Sequence, residues 1–161
     1  IADADLFARI EATTFDDLRS DTDLLTDAVS ASIRVKADIV ERDERESGDR
    51  RKLNLGHTLA HAIEKCTNRL NHGEAVAVGT ALIADASVKL GVLTAEDRDR
   101  IAGVLKKLGF DLTPPVDVKR LLKEVSKDKK NEDGMLRIVV PIGIGDCDVR
   151  PMKMDAFAAL F

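Results

Sequence analysis

The chain has 161 residues, a mass of 17.6 kDa and a formal net charge of −4 at pH 7. This length suits one domain, 1–161, with a sizeable core. The acidic balance, with 3% aromatic residues and no Trp or Tyr, excludes a general nucleic-acid surface, because such surfaces need cations and stacking rings. No apolar run approaches the roughly twenty residues that cross a bilayer, so no membrane association is expected.

The cysteines predict the redox compartment of the protein, and the first residue predicts the position of this chain within a longer polypeptide. Cys66 and Cys147 are far apart and form no CxxC pattern, which predicts reduced thiols in a cytoplasmic protein. The chain starts at Ile1 without a signal-peptide pattern or an initiator Met. We therefore expect Ile1 to be an internal position of a longer polypeptide.

Two helices are predicted in the first 42 residues. Asp3 or Asp5 can cap a short amphipathic helix. A repeat of 3.6 residues then predicts a long helix over 23–42. Its apolar positions are Leu24, Leu25, Ala28, Val29, Val35 and Ile39. Lys36 falls in its C-terminal half, where a solvated or dipole-compensating lysine is the simpler interpretation.

The stretch 46–72 holds all three histidines. Asn54, His57 and His61 follow at steps of three and four, which places them on one face of a helix predicted over 54–65. From this spacing, His57 and His61 can reach a common metal ion or substrate. A single histidine on a helix is more often a surface or satisfied core residue. The cluster gains weight from polar neighbours suited to an anionic substrate, namely Glu46, Arg50, Arg51 and Lys52.

The rest of the chain predicts a mainly α fold with a small β element. A helix rich in small residues spans 73–90, and its N-terminus beside His72 suits an anion or a metal-bound oxygen. Further helices are predicted after Thr94, after Asp117 and over 154–161. The β-branched run 135–143 predicts a hairpin or an edge strand. The GxG at Gly143 lacks the context of a dinucleotide site.

Several ordered motifs resemble the C-terminal domain of the 3-dehydroquinate synthase family. They are DERESGDRRKLNLGHTLAHAIE, LNHGEAVAVG, VLKKLGF, the DKK motif and MLRIVVPIGIG. With these motifs, the resemblance covers nearly the whole chain. The resemblance implies a helical domain that faces an N-terminal NAD-binding half. It also implies conversion of 3-deoxy-arabino-heptulosonate 7-phosphate, a phosphorylated sugar acid, to 3-dehydroquinate and phosphate in the shikimate pathway.

The resemblance also assigns roles to residues. It implies that His57 and His72 bind zinc or cobalt, whereas spacing alone favours His57 and His61. It implies that His61 takes part in proton transfer and that Glu46 acts as an acid/base or orienting group. The resemblance also implies five substrate-binding residues: Lys36, which precedes the quoted motifs, and Arg50, Asn54, Lys129 and Lys130 within them.

Two departures from the family pattern shape the expectations. Ala60 stands where the family often has Gly, a small-for-small change that we expect to be harmless. The family's third metal ligand and its NAD-binding half precede the position of Ile1, so the chain alone is expected to be inactive. The resemblance separately implies that the full-length protein is a homodimer. Three alternatives stay open: another sugar-phosphate cyclase, a metal-dependent polyol dehydrogenase, or a non-catalytic helical module.

Overall fold

A computed structural model of the chain describes residues 1–45, 48–128 and 135–161. Three helices come first: α1 (Ala4–Glu11), α2 (Phe15–Ser20) and α3 (Thr22–Arg42). The Asp3 carboxylate caps α1 by accepting from the Leu6 amide. Asp21 caps α3 in the same way. The predicted short helix and long helix are therefore confirmed.

The central part of the chain is helical. A 3₁₀ helix (Asp49–Asn54) precedes α4 (His57–Cys66) and α5 (His72–Lys89). They are followed by α6 (Ala95–Lys107) and α7 (Val118–Asp128). The predicted Thr94 cap of α6 and the Asp117 cap of α7 both form, because each side chain accepts a backbone N–H of the first turn.

The chain ends in a β-hairpin and a short helix. Strands β1 (Met135–Gly143) and β2 (Asp146–Lys153) pair antiparallel, with Val139 opposite Val149, and α8 (Met154–Ala158) follows. The predicted mainly α fold with a small hairpin is therefore confirmed. Gly145 adopts a positive φ of 85° in the hairpin turn, which explains why the GxG occurs here without a nucleotide site.

One core joins elements from α4 to the C-terminal helix α8. Its fully buried side chains come from α4, α5, α7, β1 and α8. They include Leu59, Ile63, Val78, Ile83, Leu121, Leu136 and Phe157. Helix α5 contributes mostly small residues, so neighbouring helices pack against its backbone. This agrees with the predicted central position of the small-residue helix.

Helix α3 packs less completely than its repeat predicts. Ile39 is buried, but Leu25, Val29 and Ile33 are 45%, 50% and 62% exposed. Periodicity places apolar residues on one side of a helix but does not provide a surface for all of them. No helix within the described residues has the length and apolar character needed to span a bilayer.

Helices α4 and α5 approach most closely at two glycines. Gly56, which precedes α4, has a φ of 79°, and the left-handed region favours glycine. A Cβ atom added at Gly79 of α5 would overlap the Gly56 carbonyl oxygen. This crossing holds the first turn of α4 directly against the middle of α5.

Candidate functional site

The three histidines form one cluster at the N-terminal ends of two helices. His57 is the first residue of α4, His61 lies one turn later, and His72 is the first residue of α5. The ring centroids of His57 and His72 are 5.3 Å apart. His61 is 5.8 Å from His57 and 6.3 Å from His72. The fold thus brings together all three imidazoles that the sequence singles out.

One helix boundary differs from the prediction. The sequence predicts Asn54 and His57 on the same helix, but Asn54 ends the 3₁₀ helix and α4 begins at His57. The left-handed Gly56 separates the two segments, because a residue with positive φ cannot continue a right-handed helix. Asn54 nevertheless lines the same cavity as His57 and His61, although it belongs to the 3₁₀ helix and not to α4.

That cavity has a volume of about 220 Å³ and opens beside the histidines. Its polar wall comes from the 3₁₀ helix, α4 and β1, and its apolar wall from α7 and β1. The lining residues are Asn54, His57, Thr58, His61, Val125, Leu136, Arg137 and Ile138. A space of this size, with imidazoles, an amide and a guanidinium on its wall, can hold a small polar or anionic molecule.

Hydrogen bonds fix the state of two of the rings. Nδ1–H of His57 donates to the Leu55 carbonyl oxygen at 3.1 Å, and Nδ1–H of His72 donates to Glu64 Oε1 at 2.9 Å. Carbonyl and carboxylate oxygens only accept, so both protons lie on Nδ1. When the imidazole is neutral, each Nε2 then carries the lone pair with which it can bind a metal ion.

The N-terminus of α5 is partly satisfied by its own sequence. The Asn71 side chain accepts from the Glu74 amide at 3.0 Å, and the Glu74 carboxylate accepts from the Asn71 amide at 2.7 Å. This capping box uses one of the first-turn N–H groups that the sequence predicted to be available for an anion. The functional character of this end of α5 therefore rests on the His72 ring.

The predicted cationic residues occupy separate positions. Lys36 is exposed on α3 and lines a second cavity of about 330 Å³ with Leu53 and the start of the chain. Arg50 lies in the 3₁₀ helix, where its guanidinium donates to the Glu44 carbonyl oxygen at 2.8 Å. Glu46, Lys129 and Lys130 lie outside the described residues, so their predicted roles stay predictions.

The donor set can be compared with what a metal ion requires. Two imidazoles that bind one tetrahedral zinc through Zn–N bonds of about 2.0–2.1 Å have ring centroids roughly 5 Å apart. The His57–His72 separation of 5.3 Å fits this requirement better than either separation involving His61. Within 1–45, 48–128 and 135–161, however, no three His, Cys, Asp or Glu side chains are grouped to hold an ion. The described residues fit part of a metal site.

Three site residues escaped the sequence analysis. Glu64 follows His57 and His61 at steps of four and three, so helical periodicity could have revealed it. Thr58 and Arg137 line the cavity, and Arg137 also borders a polar depression with Arg51 and Lys52. No sequence signal links β1 to the histidines, because that contact depends on how the hairpin packs.

Comparison with known proteins shows the family of the chain. The family model described as "3-dehydroquinate synthase C-terminal" matches residues 1–131. A 3-dehydroquinate synthase of Ruegeria sp. (strain TM1040) is 42% identical over 156 residues, and that of Ruegeria pomeroyi is 46% identical over 134 residues. These alignments cover 90% and 76% of this chain but only 41% and 36% of the relatives. The chain thus spans about two fifths of their length.

Solved structures share the fold. A 2-epi-5-epi-valiolone synthase from Streptomyces hygroscopicus, solved with NAD⁺ and Zn²⁺, superposes with a TM-score of 0.83 over 99% of this chain and 46% of its own. A 2-deoxy-scyllo-inosose synthase, solved with carbaglucose-6-phosphate, NAD⁺ and Co²⁺, gives 0.75 over 96% and 48%. Because their sequence identities to this chain are 22% and 20%, these structures show a shared fold and nothing beyond it.

Proposed function

The chain belongs to the family of 3-dehydroquinate synthase C-terminal domains, and from that premise we propose that it is the metal- and substrate-binding half of a 3-dehydroquinate synthase. The full-length enzyme would convert 3-deoxy-arabino-heptulosonate 7-phosphate to 3-dehydroquinate and phosphate. The observation that carries the proposal is the convergence of His57, His61 and His72 beside one polar cavity. The relatives at 42% and 46% identity bear the name of this synthase, which favours its substrate over others.

His57 and His72 would hold the metal ion, zinc or cobalt, through Nε2. A third ligand is required from elsewhere in the full-length protein, because catalytic zinc generally has three protein ligands. When bound, the metal would polarise the hydroxyl that is oxidised and NAD would accept the hydride. The N-terminal half would bind most of the NAD.

His61 would move a proton at the substrate. Its exposed ring shares the cavity wall with His57, and its separations from the other two rings are wider. An imidazole in that position can accept a proton from a substrate oxygen and return it later in the cycle. Glu46 would support this transfer as an acid/base or orienting group.

The cationic and amide side chains would hold the acidic substrate. Arg50 and Lys36 supply charge for the carboxylate or the phosphate, and Asn54 supplies an amide on the cavity wall. One lysine of Lys129 and Lys130 would hold the phosphate as it leaves. Because Asn54 and Lys36 line separate cavities, the substrate would extend from the histidines toward α3.

The experiment is phosphate release by the full-length polypeptide that carries this chain, supplied with the heptulosonate phosphate, NAD and zinc. We expect release by the intact protein and loss of release in His57→Ala. The 161-residue chain alone should release none, because it lacks the NAD-binding half. Lys106→Ala, a cation removed from the exposed end of α6, is the control and should keep its activity.

Other outcomes would identify a different activity. A folded, zinc-loaded full-length protein that ignores this substrate but turns over another sugar phosphate is a different cyclase. Oxidation of a polyol without phosphate release would make it a dehydrogenase. Absence of both zinc and turnover would leave a non-catalytic helical module. Gel filtration of the same protein tests the proposed homodimer. We also propose a cytoplasmic location, with which the free thiols of Cys66 and Cys147 agree.

A further inference from the structure

We propose that Glu64 is a positioning residue for His72: its carboxylate holds the imidazole in the tautomer and orientation that direct Nε2 toward the metal ion. The inference rests on the proposed function, because it takes His72 as a ligand. It adds a residue that lies on the same helix face as His57 and His61. Glu64 would act through His72 and would not touch the substrate.

The position of Glu64 follows from the geometry of α4. His57, His61 and Glu64 occur at steps of four and three, so the helix aligns them along one side. The next helix starts at His72. Glu64 Oε1 meets His72 Nδ1 at 2.9 Å, and this bond joins the C-terminal half of α4 to the first residue of α5.

This hydrogen bond determines which nitrogen of His72 is available. An ionised carboxylate accepts only, so in the neutral imidazole the shared proton belongs to Nδ1 and the lone pair to Nε2. A carboxylate partner also makes the imidazole a stronger donor toward a metal and keeps the ring from turning. His57 obtains the same tautomer from the neutral Leu55 carbonyl at 3.1 Å. The two rings are thus prepared alike by different partners.

His72 has the greater need for such a partner. Its side chain is 57% exposed and that of Glu64 is 35% exposed, whereas His57 is half-buried at the start of α4. An exposed imidazole on the first residue of a helix samples several rotamers unless a neighbour restrains it. Among the described residues, Glu64 is the hydrogen-bond partner observed for this ring, which also lies beside the His57 and His61 rings.

A simpler role for Glu64 would be to stabilise α5 through its charge. A carboxylate near a helix N-terminus is favourable whatever it bonds to. Glu74 offers the matched control, because it is an acid in the first turn of the same helix and its carboxylate bonds to the Asn71 amide. Substitution of Glu74 removes helix stabilisation but leaves the His72 bond in place.

The first measurement reads the tautomer without any metal. The chain contains three histidines, so ¹⁵N-histidine spectra at a pH well above the usual imidazole range resolve each ring. We expect His72 to carry its proton on Nδ1 in the wild type, in Glu64→Gln, whose amide oxygen still accepts, and in Glu74→Gln. Glu64→Ala should give mixed tautomers. An unchanged His72 tautomer in Glu64→Ala would overturn the inference.

The second measurement is zinc affinity in the full-length polypeptide, obtained by competition with a chelator. We expect Glu64→Ala to bind zinc about 10–100-fold more weakly, Glu64→Gln to lie between it and the wild type, and Glu74→Gln to match the wild type. Equal losses in Glu64→Ala and Glu74→Gln would reduce Glu64 to a helix-stabilising charge and refute the positioning role.

The same titration separates this inference from the proposed function. If zinc binding depends on His72 but Glu64→Ala has no effect, the positioning role falls and the metal site stands. If zinc binding survives in His72→Ala, the proposed metal site falls, and the inference falls with it.

Discussion

His57 and His72 begin different helices, yet their ring centroids lie 5.3 Å apart across the α4–α5 junction. Each ring is held through Nδ1, and each presents Nε2. His61 lies further from both rings and faces the cavity. The proposed function assigns His57 and His72 to a metal ion and His61 to the substrate, and this assignment can be tested by removing each ring separately.

The three histidine variants should therefore differ in full-length protein. His57→Ala and His72→Ala should lose bound zinc during dialysis against a weak chelator, whereas His61→Ala should retain it. His61→Ala should still lose turnover by about 10²–10⁴-fold, the usual contribution of a general acid or base. Zinc content by elemental analysis and phosphate release are the measurements. A His61→Ala protein as zinc-poor as His57→Ala would contradict the assignment.

Lys36 tests whether the substrate spans both cavities. Its ammonium lies in the cavity next to Leu53, apart from the one that His57 lines. Lys36→Ala should raise KM about 10–100-fold, since a hydrogen bond to a charged group contributes about 1.5–3 kcal/mol. The measurement is steady-state kinetics of the full-length enzyme, with Lys106→Ala as the matched loss of a lysine. Equal KM values for Lys36→Ala and Lys106→Ala would mean that the substrate occupies only the cavity lined by His57 and His61.

The crossing of α4 and α5 predicts opposite effects for two glycine substitutions. Gly79→Ala should destabilise the protein by about 1–3 kcal/mol, because its Cβ would overlap the Gly56 carbonyl and force the helices apart. Gly103→Ala in α6 meets nothing within 4 Å and should stabilise by about 0.5–1 kcal/mol. Urea unfolding gives both values. An unchanged free energy of unfolding in Gly79→Ala would mean that α4 and α5 can move apart at little energetic cost.

The ion pair between Glu11 of α1 and Arg100 of α6 should weaken in acid. Arg100 donates to both carboxylate oxygens of Glu11, at 2.9 and 2.8 Å, and this bond holds the pKa of Glu11 below its ordinary value of 4.5. A lowered folded-state pKa contributes stability that is present above the unfolded pKa and lost as pH falls through the folded one. The stability difference between wild type and Glu11→Gln should therefore shrink below about pH 4.5.

Urea midpoints measured from neutral to acidic pH would follow this loss. Glu41→Gln, which removes an exposed acid on α3, serves as the control for the loss of one negative charge. A Glu11→Gln midpoint that differs from the wild type by the same amount at every pH would exclude the ion pair as the cause.

The two thiols should react at different rates. Cys147 on β2 is 2% exposed, and burial raises the pKa of its thiol, whereas Cys66 at the end of α4 is half-buried. In the native protein, Cys147 should react with a disulfide reagent at least about 100-fold more slowly than Cys66. In Cys66→Ser, the remaining reaction reports opening of the hairpin. Rapid labelling of Cys147 without urea would show that the hairpin opens readily.

Local sequence signals predicted much of this structure. Thr94, Asp117 and one of the pair Asp3 and Asp5 were recognisable as helix caps, because capping depends on neighbours two or three residues away. The run 135–143 was recognisable as a strand from its β-branched residues. These features need no knowledge of the rest of the chain.

Features that depend on tertiary packing were missed or misjudged. The helix predicted from Asn54 begins at His57, because the close packing of Gly56 against α5 requires a left-handed residue there. The apolar repeat of α3 did not reveal that Leu25 and Val29 face solvent. Arg137 lines the cavity only because the hairpin packs against α5 and the 3₁₀ helix.

The short sequence separation between the histidines has a kinetic consequence. His57 and His72 are brought together by α4, α5 and the connection between them, so closing this loop costs little chain entropy. Pairs of helices adjacent in sequence form faster than contacts between distant segments. The hairpin, in contrast, joins the core from the far end of the chain. During folding, the imidazole cluster should therefore assemble early and the cavity wall formed by β1 should close over it afterwards.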